Sequence, residues 1–314
     1  MGCRAGSLLL GVVVAATFAG VFNTQAGMAS ATDVVAKDAH APMYPTGSTA
    51  VVSYQGIDAC YYGSTSGMQQ WWNYSPYWWT NAYIGGAEVC TPGDGLVTYS
   101  WLSAVTAQGW DIVPTWVDLQ APCNSYPAAL STNTSTAQSQ GRSSADSAAS
   151  RASSLGINRG SIIYYDMEFY HNYVAGCDTN VSAAVNAFLN GWVVELSNDG
   201  YATGVYESAS NLISVTGNSN SPNDVWIGAG GFSASRYSCS ATVWGNGYIP
   251  DGDWILDQRL YQYTAGHDET YPPTGGTTIN IDSDAAAGGA SPTQYDDSSD
   301  EGEYSSPSYD VPAC

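Results

Sequence analysis

Between residues 51 and 286 the chain alternates short apolar runs with stretches of helical spacing, and this alternation limits the fold more than any other feature. Residues 51–58, 81–86, 110–117, 162–168, 202–206, 224–229, 259–264 and 277–285 read as eight strands. Helical patterns fall between them. One covers 68–72. Another, with Trp101, Leu102 and Val105 on one face, stops near Gly109. Residues 144–155 end at Gly156, residues 183–196 stop at Asn198-Asp199-Gly200, and 210–215 is a weak helix. Residues 230–256 are rich in Gly, Ser and Asn, and no helix can be placed there. Strand–helix alternation indicates an α/β fold with a parallel sheet. Eight strands in about this length indicate a single-domain (β/α)₈ TIM-type barrel. An open doubly wound sheet is the structural alternative, made weaker by the lack of G-x-G-x-x-G after the first strand.

The strand at 162–168 ends in two carboxylates, Asp166 and Glu168. Residues i and i+2 of a strand share a face, so both acids project into one place. Burying charge is costly. Neighbouring carboxylates raise each other's pKa, which lets one donate a proton while the other stays ionised. An isolated D-x-E is more often a solvated strand end that caps a loop or pairs with an Arg. Further acids fall near the ends of the first and last strands: Asp58, and Asp282 or Asp284. Active sites of such barrels form at the C-terminal ends of the strands, so these acids are expected to converge at one mouth.

The ends of the chain have a different character. Residues 1–31 read as a signal peptide: Arg4, an apolar run from Leu8 to Val21, then Ala29-Ser30-Ala31 as a cleavage site. The apolar run is short for a membrane span and no later segment replaces it, so no membrane insertion is expected. Residues 32–50 form a linker, and 287–314 an acidic disordered tail. Six cysteines follow the signal segment: Cys60, Cys90, Cys123, Cys177, Cys239 and Cys314. An even number in an exported chain favours disulfides, with fifteen possible pairings. Cys60 and Cys90 follow the first two strands, which makes a bond between them at the barrel mouth one expected pairing.

Seven Lys and Arg against twenty-eight Asp and Glu argue against nucleic acid as a partner. Scattered cysteines and three histidines give no metal site and no sign of a cofactor. Eleven Trp and twenty-three Tyr suit a protein that stacks on sugar rings, although the same residues fill ordinary cores.

Several short segments, in order, carry a family resemblance. They are Gly56-Ile57-Asp58-Ala59-Cys60, Tyr83-Ile84-Gly85-Gly86, Pro114-Thr115-Trp116-Val117 and Leu119-Gln120-Ala121-Pro122-Cys123, then Ile163-Tyr164-Tyr165-Asp166-Met167-Glu168. Gly204-Val205-Tyr206-Glu207-Ser208, Asp224-Val225-Trp226-Ile227 and Tyr261-Gln262-Tyr263 extend them. Over roughly 51–286 the chain resembles the secreted bacterial glycoside hydrolase-like domain of undefined function, related to the family 25 lysozymes. The resemblance implies a barrel that acts on peptidoglycan-like cell-wall polysaccharide. It implies Glu168 as general acid and Asp166 as stabiliser of developing positive charge or as the group that orients an N-acetyl nucleophile. Asp58 and Asp282 would hold and tune them, with Asp284 an equal match for the last position. Tyr83, Trp116, Tyr206, Trp226 and Gln262, near expected strand ends, are candidate sugar-binding residues. The alternative is a non-catalytic glycan-binding or envelope-structure module on the same barrel. A secreted location, free or wall-associated, would fit either; we expect a monomer.

Overall fold

The computed structural model describes residues 50–290, apart from 53, 91–95, 175–176, 178–179, 213–219 and 229–236. The expected signal segment, nearly all of the expected linker, the expected tail beyond residue 290 and Cys314 lie outside the described residues. The described residues form nine strands: β1 (Ala50–Val52), β2 (Gln55–Asp58), β3 (Trp79–Gly85), β4 (Asp111–Trp116), β5 (Ile162–Met167), β6 (Ala202–Ser208), β7 (Asp224–Gly228), β8 (Arg259–Tyr271) and β9 (Thr277–Ala290). The helices are α1 (Thr65–Tyr74), α2 (Tyr99–Ala107), α3 (Thr134–Ser154), α4 (Val181–Asn198) and the short α5 (Ala209–Leu212). Strands β2 to β8 pair in parallel in chain order. Strand β9 then pairs with both β8 and β2, so eight strands close a barrel of the (β/α)₈ TIM type.

One strand departs from the expected all-parallel arrangement. Strand β9 runs antiparallel to both neighbours. Only residues 272–276 separate β8 from β9, too few for a crossover, so the two must form a hairpin. The hairpin also outruns the barrel: β8 has 13 residues and β9 has 14. Its far end rests on α1, where the Trp71 indole N–H donates to the Thr277 carbonyl at 2.9 Å. The first predicted strand is split, with β1 paired to the last residues of β9.

Each of the four longer helices begins on a residue whose side chain accepts a first-turn N–H. Ser64 caps α1, Thr98 caps α2, Asn133 caps α3 and Asn180 caps α4. Helix α3 starts ten residues before the expected 144. Its first turns are Thr-, Ser- and Gln-rich and carry no apolar period; what they present to α4 is smallness instead. A Cβ built on Gly141 would sit 2.0 Å from the Phe188 carbonyl oxygen, and one on Gly191 2.1 Å from that of Gln138. The two helices therefore touch backbone to backbone. Gly141→Ala gains about 1 kcal/mol of helix propensity but must push apart two buried helices. We expect a net loss of about 2 kcal/mol, seen as a thermal midpoint lower by about 4–8 °C.

The barrel interior is filled by Trp79, Val113, Ile162, Tyr164, Trp226 and Leu260, with Ala202 and Ala290. The larger core, between barrel and helices, includes Trp71, Trp110, Trp116, Tyr165, Phe188 and Trp192.

Candidate active site

Inward-facing positions at the mouth of the barrel come one from each of several strands. Asp58 ends β2, Tyr83 lies in β3, Asp166 in β5, Tyr206 in β6, Gln262 in β8 and Asp282 in β9. Together with Glu168 they line a cavity of about 630 Å³. Among the described residues its lining has four carboxyls and no Lys, Arg or His. Asp282 reaches this level by register, not by ending a strand: in the antiparallel pair it lies opposite Asp58. Asp284, two residues further along a strand that runs inward, is one layer deeper. It is fully buried and accepts the Trp226 indole N–H at 2.8 Å.

Hydrogen bonds hold the carboxyls of Asp282 and Asp58. The Gln262 amide donates to Asp282 Oδ2 at 2.8 Å and to Asp58 Oδ2 at 3.4 Å, while its oxygen accepts from the Tyr206 hydroxyl at 3.0 Å. The Gly266 N–H donates to Asp282 Oδ1 at 2.6 Å. Gly266 lies where the β8–β9 register shifts, between Thr264 and His267. Such irregularities re-aim groups beside active sites.

Two buried amides extend the strand ends that carry the acids. Gln120 is fully buried; its amide donates to the Asp166 carbonyl at 2.9 Å, and its oxygen accepts the Glu168 N–H at 2.9 Å. One side chain thus supplies both bonds that a neighbouring strand would have made there. Asn81 supplies one such bond for β2, its oxygen accepting the Ala59 N–H at 3.0 Å and also the Tyr62 hydroxyl at 2.9 Å. Disulfides pin the loops around this mouth. Cys60 joins Cys90 as expected, and Cys123 joins Cys177, with Cα atoms 5.7 and 6.2 Å apart. Bonds of this kind belong to an oxidising compartment and suit an exported chain.

Electrostatics follows from crowding like charges in a poorly hydrated place. Burial, then the charge of Asp282, pushes the Asp58 carboxyl well above the usual carboxylate range. Burial and the charges of Glu168 and Asp58 do the same to Asp166. Glu168 is raised by burial and by Asp282, against the Phe169 N–H, which favours its charged form. Asp282 is raised by burial, against the Gly266 N–H and neighbouring His267. Glu168 and Asp282 are also the two acids more open to the cavity, whereas Asp58 and Asp166 are 7% and 4% exposed.

Two of the expected sugar-binding residues are elsewhere. Trp116 faces outward from β4 and donates to Ser144 of α3 at 2.9 Å. Trp226 faces inward but lies below the cavity floor, edge-on to Trp79, Tyr164 and Tyr206. Large apolar rings at strand ends were read as platforms; here they fill the two core layers. Conversely, Phe169 and Tyr248 line the cavity and are 49% and 39% exposed. Phe169 directly follows the D-x-E and could have been found from that position. Tyr248 sits in the aperiodic 230–256 stretch, where no pattern marks it.

A search of solved structures finds three that illustrate the likeness. An uncharacterized B. stearothermophilus protein is 17% identical, covering 74% of this chain and 95% of that one at TM-score 0.45. The Mycobacterium tuberculosis Tat-secreted protein Rv2525c, in complex with L-tartrate, is 13% identical over 76% and 99%, at 0.47. The bacterial lysozyme from Streptomyces coelicolor is 16% identical over 76% and 93%, at 0.43. No curated protein matches the sequence. The profile of the family described as "Rv2525c-like, glycoside hydrolase-like domain" matches residues 69–286, most of the barrel. The chain belongs to that family of glycoside hydrolase-like domains.

Proposed function

We propose that this protein is an exported glycoside hydrolase that cleaves peptidoglycan-like cell-wall polysaccharide by carboxylate acid catalysis. The observation that carries the reading is the meeting of Asp58, Asp166, Glu168 and Asp282, all with raised pKa, in one cavity of about 630 Å³. Membership of a glycoside hydrolase-like family supports the reaction class. The resemblance to family 25 lysozymes supports the substrate class.

In this reading the Glu168 carboxyl, held protonated by burial and by its neighbours, donates its proton to the glycosidic oxygen. The bond from the anomeric carbon to that oxygen breaks and the leaving sugar departs as an alcohol. Asp166 stabilises the positive charge that develops on the ring, or orients the substrate's N-acetyl oxygen to attack it. Water then adds to the anomeric carbon and returns its proton to the Glu168 carboxylate. Gln262 holds Asp58 and Asp282, and so acts on the acids more than on the sugar. Tyr83 and Tyr206 supply the cavity wall against which a ring can rest.

The test is turnover of the mature protein on peptidoglycan and chitin oligomers beside Glu168→Gln. Binding without turnover in both proteins would replace the enzyme by a glycan-binding module. The role of Gln120 gives a separate expectation. Gln120→Leu leaves the Asp166 carbonyl and Glu168 N–H without these partners, at about 1–3 kcal/mol each. Because the acids shift relative to the scissile bond, kcat should fall by about tenfold or more with a smaller change in KM. Steady-state kinetics on one soluble oligomer separates the two; an equal loss in binding would assign Gln120 to general stability.

A further inference from the structure

Beside the acidic cavity lies a second one of about 510 Å³, lined by Gly245, Gly247, Tyr248, Pro250, Asp251 and Asp253 among others. Tyr248 lines both cavities. The loop that forms the second cavity has no helix or strand to hold its shape. It is folded instead on one buried cation. Arg259, the first residue of β8, is fully buried, and its guanidinium donates to the carbonyls of Asp253 at 3.0 Å, of Val243 at 3.5 Å and of Pro250. The same group lies 4.4 Å from the centre of the Trp244 ring. Charge-assisted bonds to several carbonyls from residues 243–253 hold that loop in one conformation. Asp251 adds a bond from its own carboxylate to the Gly245 N–H at 3.0 Å. A partly exposed tyrosine that lines both cavities is thereby presented on a fixed loop.

We infer that the second cavity is a distal subsite for the same glycan chain, with Tyr248 as the platform on which a sugar ring stacks. This rests on the glycan reading of the acidic cavity and extends it to a substrate longer than the residues at the reacting bond. A pyranose offers one face of C–H groups to an aromatic ring and hydroxyls around its edge. Tyr248 suits the face, and the Asp251 and Asp253 carboxylates suit the hydroxyls as hydrogen-bond acceptors. Because Tyr248 lines both cavities, a glycan chain that leaves the acidic cavity past this residue meets the second. Tyr248 is then a specificity-determining residue that sets chain-length preference.

The experiment uses the mature Glu168→Gln protein, so that ligands bind without turnover. Binding of N-acetylglucosamine oligomers of two to six residues, and of peptidoglycan fragments of matched length, is measured by titration calorimetry. Affinity is expected to rise with length until both cavities are filled. Adding Tyr248→Ala should remove the last rise and cost the longest oligomer about tenfold more than the shortest. Tyr248→Phe should retain it, and Asp253→Asn should weaken the longest oligomer in the same length-dependent way. Equal losses at every length, or none, in the Tyr248→Ala and Asp253→Asn proteins overturn the distal subsite and leave the acidic-cavity reading in place. Failure of every glycan to bind the Glu168→Gln protein overturns both.

Discussion

Replacing Glu168 by Gln is expected to lower glycan turnover by about 10²–10⁴-fold while leaving binding within a few-fold of the parent protein. The amide keeps the size and hydrogen-bonding capacity of the side chain and removes only the transferable proton. Release of reducing ends from peptidoglycan measures the first quantity, and titration of a soluble oligomer measures the second. The pH profile adds a sharper check. A general acid works only while it holds its proton, so kcat/KM should fall as pH rises through the Glu168 pKa. Burial and Asp282 raise that pKa, which moves the alkaline limb to higher pH than an ordinary glutamate would give. Four interacting carboxyls titrate as a set, so the limb belongs to the cluster and not to Glu168 alone. In the Glu168→Gln protein this limb should be weakened and displaced, because Glu168 no longer titrates within the set. Turnover close to the parent's would remove Glu168 from the acid role and leave Asp166 as the candidate.

Much of this site was legible in the sequence for one physical reason. Side-chain direction in a strand has period two, and a barrel turns strand ends into a single place. Asp58, Asp166 and Glu168 could therefore be brought together from strand positions alone, and the cavity contains all three. For the fourth acid the sequence leaves Asp282 and Asp284 as equal matches, and of the two the cavity lining contains Asp282. It was assigned to a strand end, whereas β9 runs the other way and its register opposite Asp58 places it. The expected strands at 259–264 and 277–285 leave residues 265–276 between them, and the hairpin follows only from a β8 that runs on to Tyr271. Trp116 and Trp226 show the limit of reading aromatics near strand ends. Parity puts one outside the barrel and depth puts the other under the floor, and composition reports neither. Gln120, Asn81 and Tyr248 were beyond pattern reading, because their roles come from bonds and cavities made by residues far apart in sequence. Arg259 was likewise visible only as the first polar residue of a strand; its part as the centre of the 243–253 loop depends on carbonyls that no periodicity marks.

The stability of the folded chain should fall as pH rises from about 4.5 to about 8, and Glu207 is one separable reason. This residue is in β6, next to cavity-lining Tyr206, yet by strand alternation its side chain points the other way. It is fully buried, and among the described residues neither carboxylate oxygen has a hydrogen-bond partner. Burial alone pushes its carboxyl up to about 8. In the unfolded chain the same group ionises near the ordinary value of about 4.3. Below that value both states hold the proton and the residue has no pH-dependent effect. Between the two values the unfolded chain releases the proton while the folded one retains it, so each unit of pH favours unfolding by about 1.4 kcal/mol. Above about 8 both states are ionised and the effect levels off. At pH 7 the accumulated cost is on the order of 3–4 kcal/mol, a large share of the 5–15 kcal/mol typical of a domain. Glu207→Gln keeps the shape and the unpaired polar atoms but cannot ionise. It should therefore stabilise the protein by about 3 kcal/mol at pH 7 and by little at pH 4. Glu207→Leu should do at least as well, since it also removes the unsatisfied oxygens. Denaturant melts of the three proteins at pH 4, 5.5 and 7 would read this directly. The acids of the cavity carry raised pKa values too, so the parent slope contains their contribution, and the difference between parent and Glu207→Gln isolates one residue. A Glu207→Gln protein no more stable than the parent at pH 7 would mean that the carboxyl finds a partner or water in solution. Its burial would then not be the cost that β6 bears.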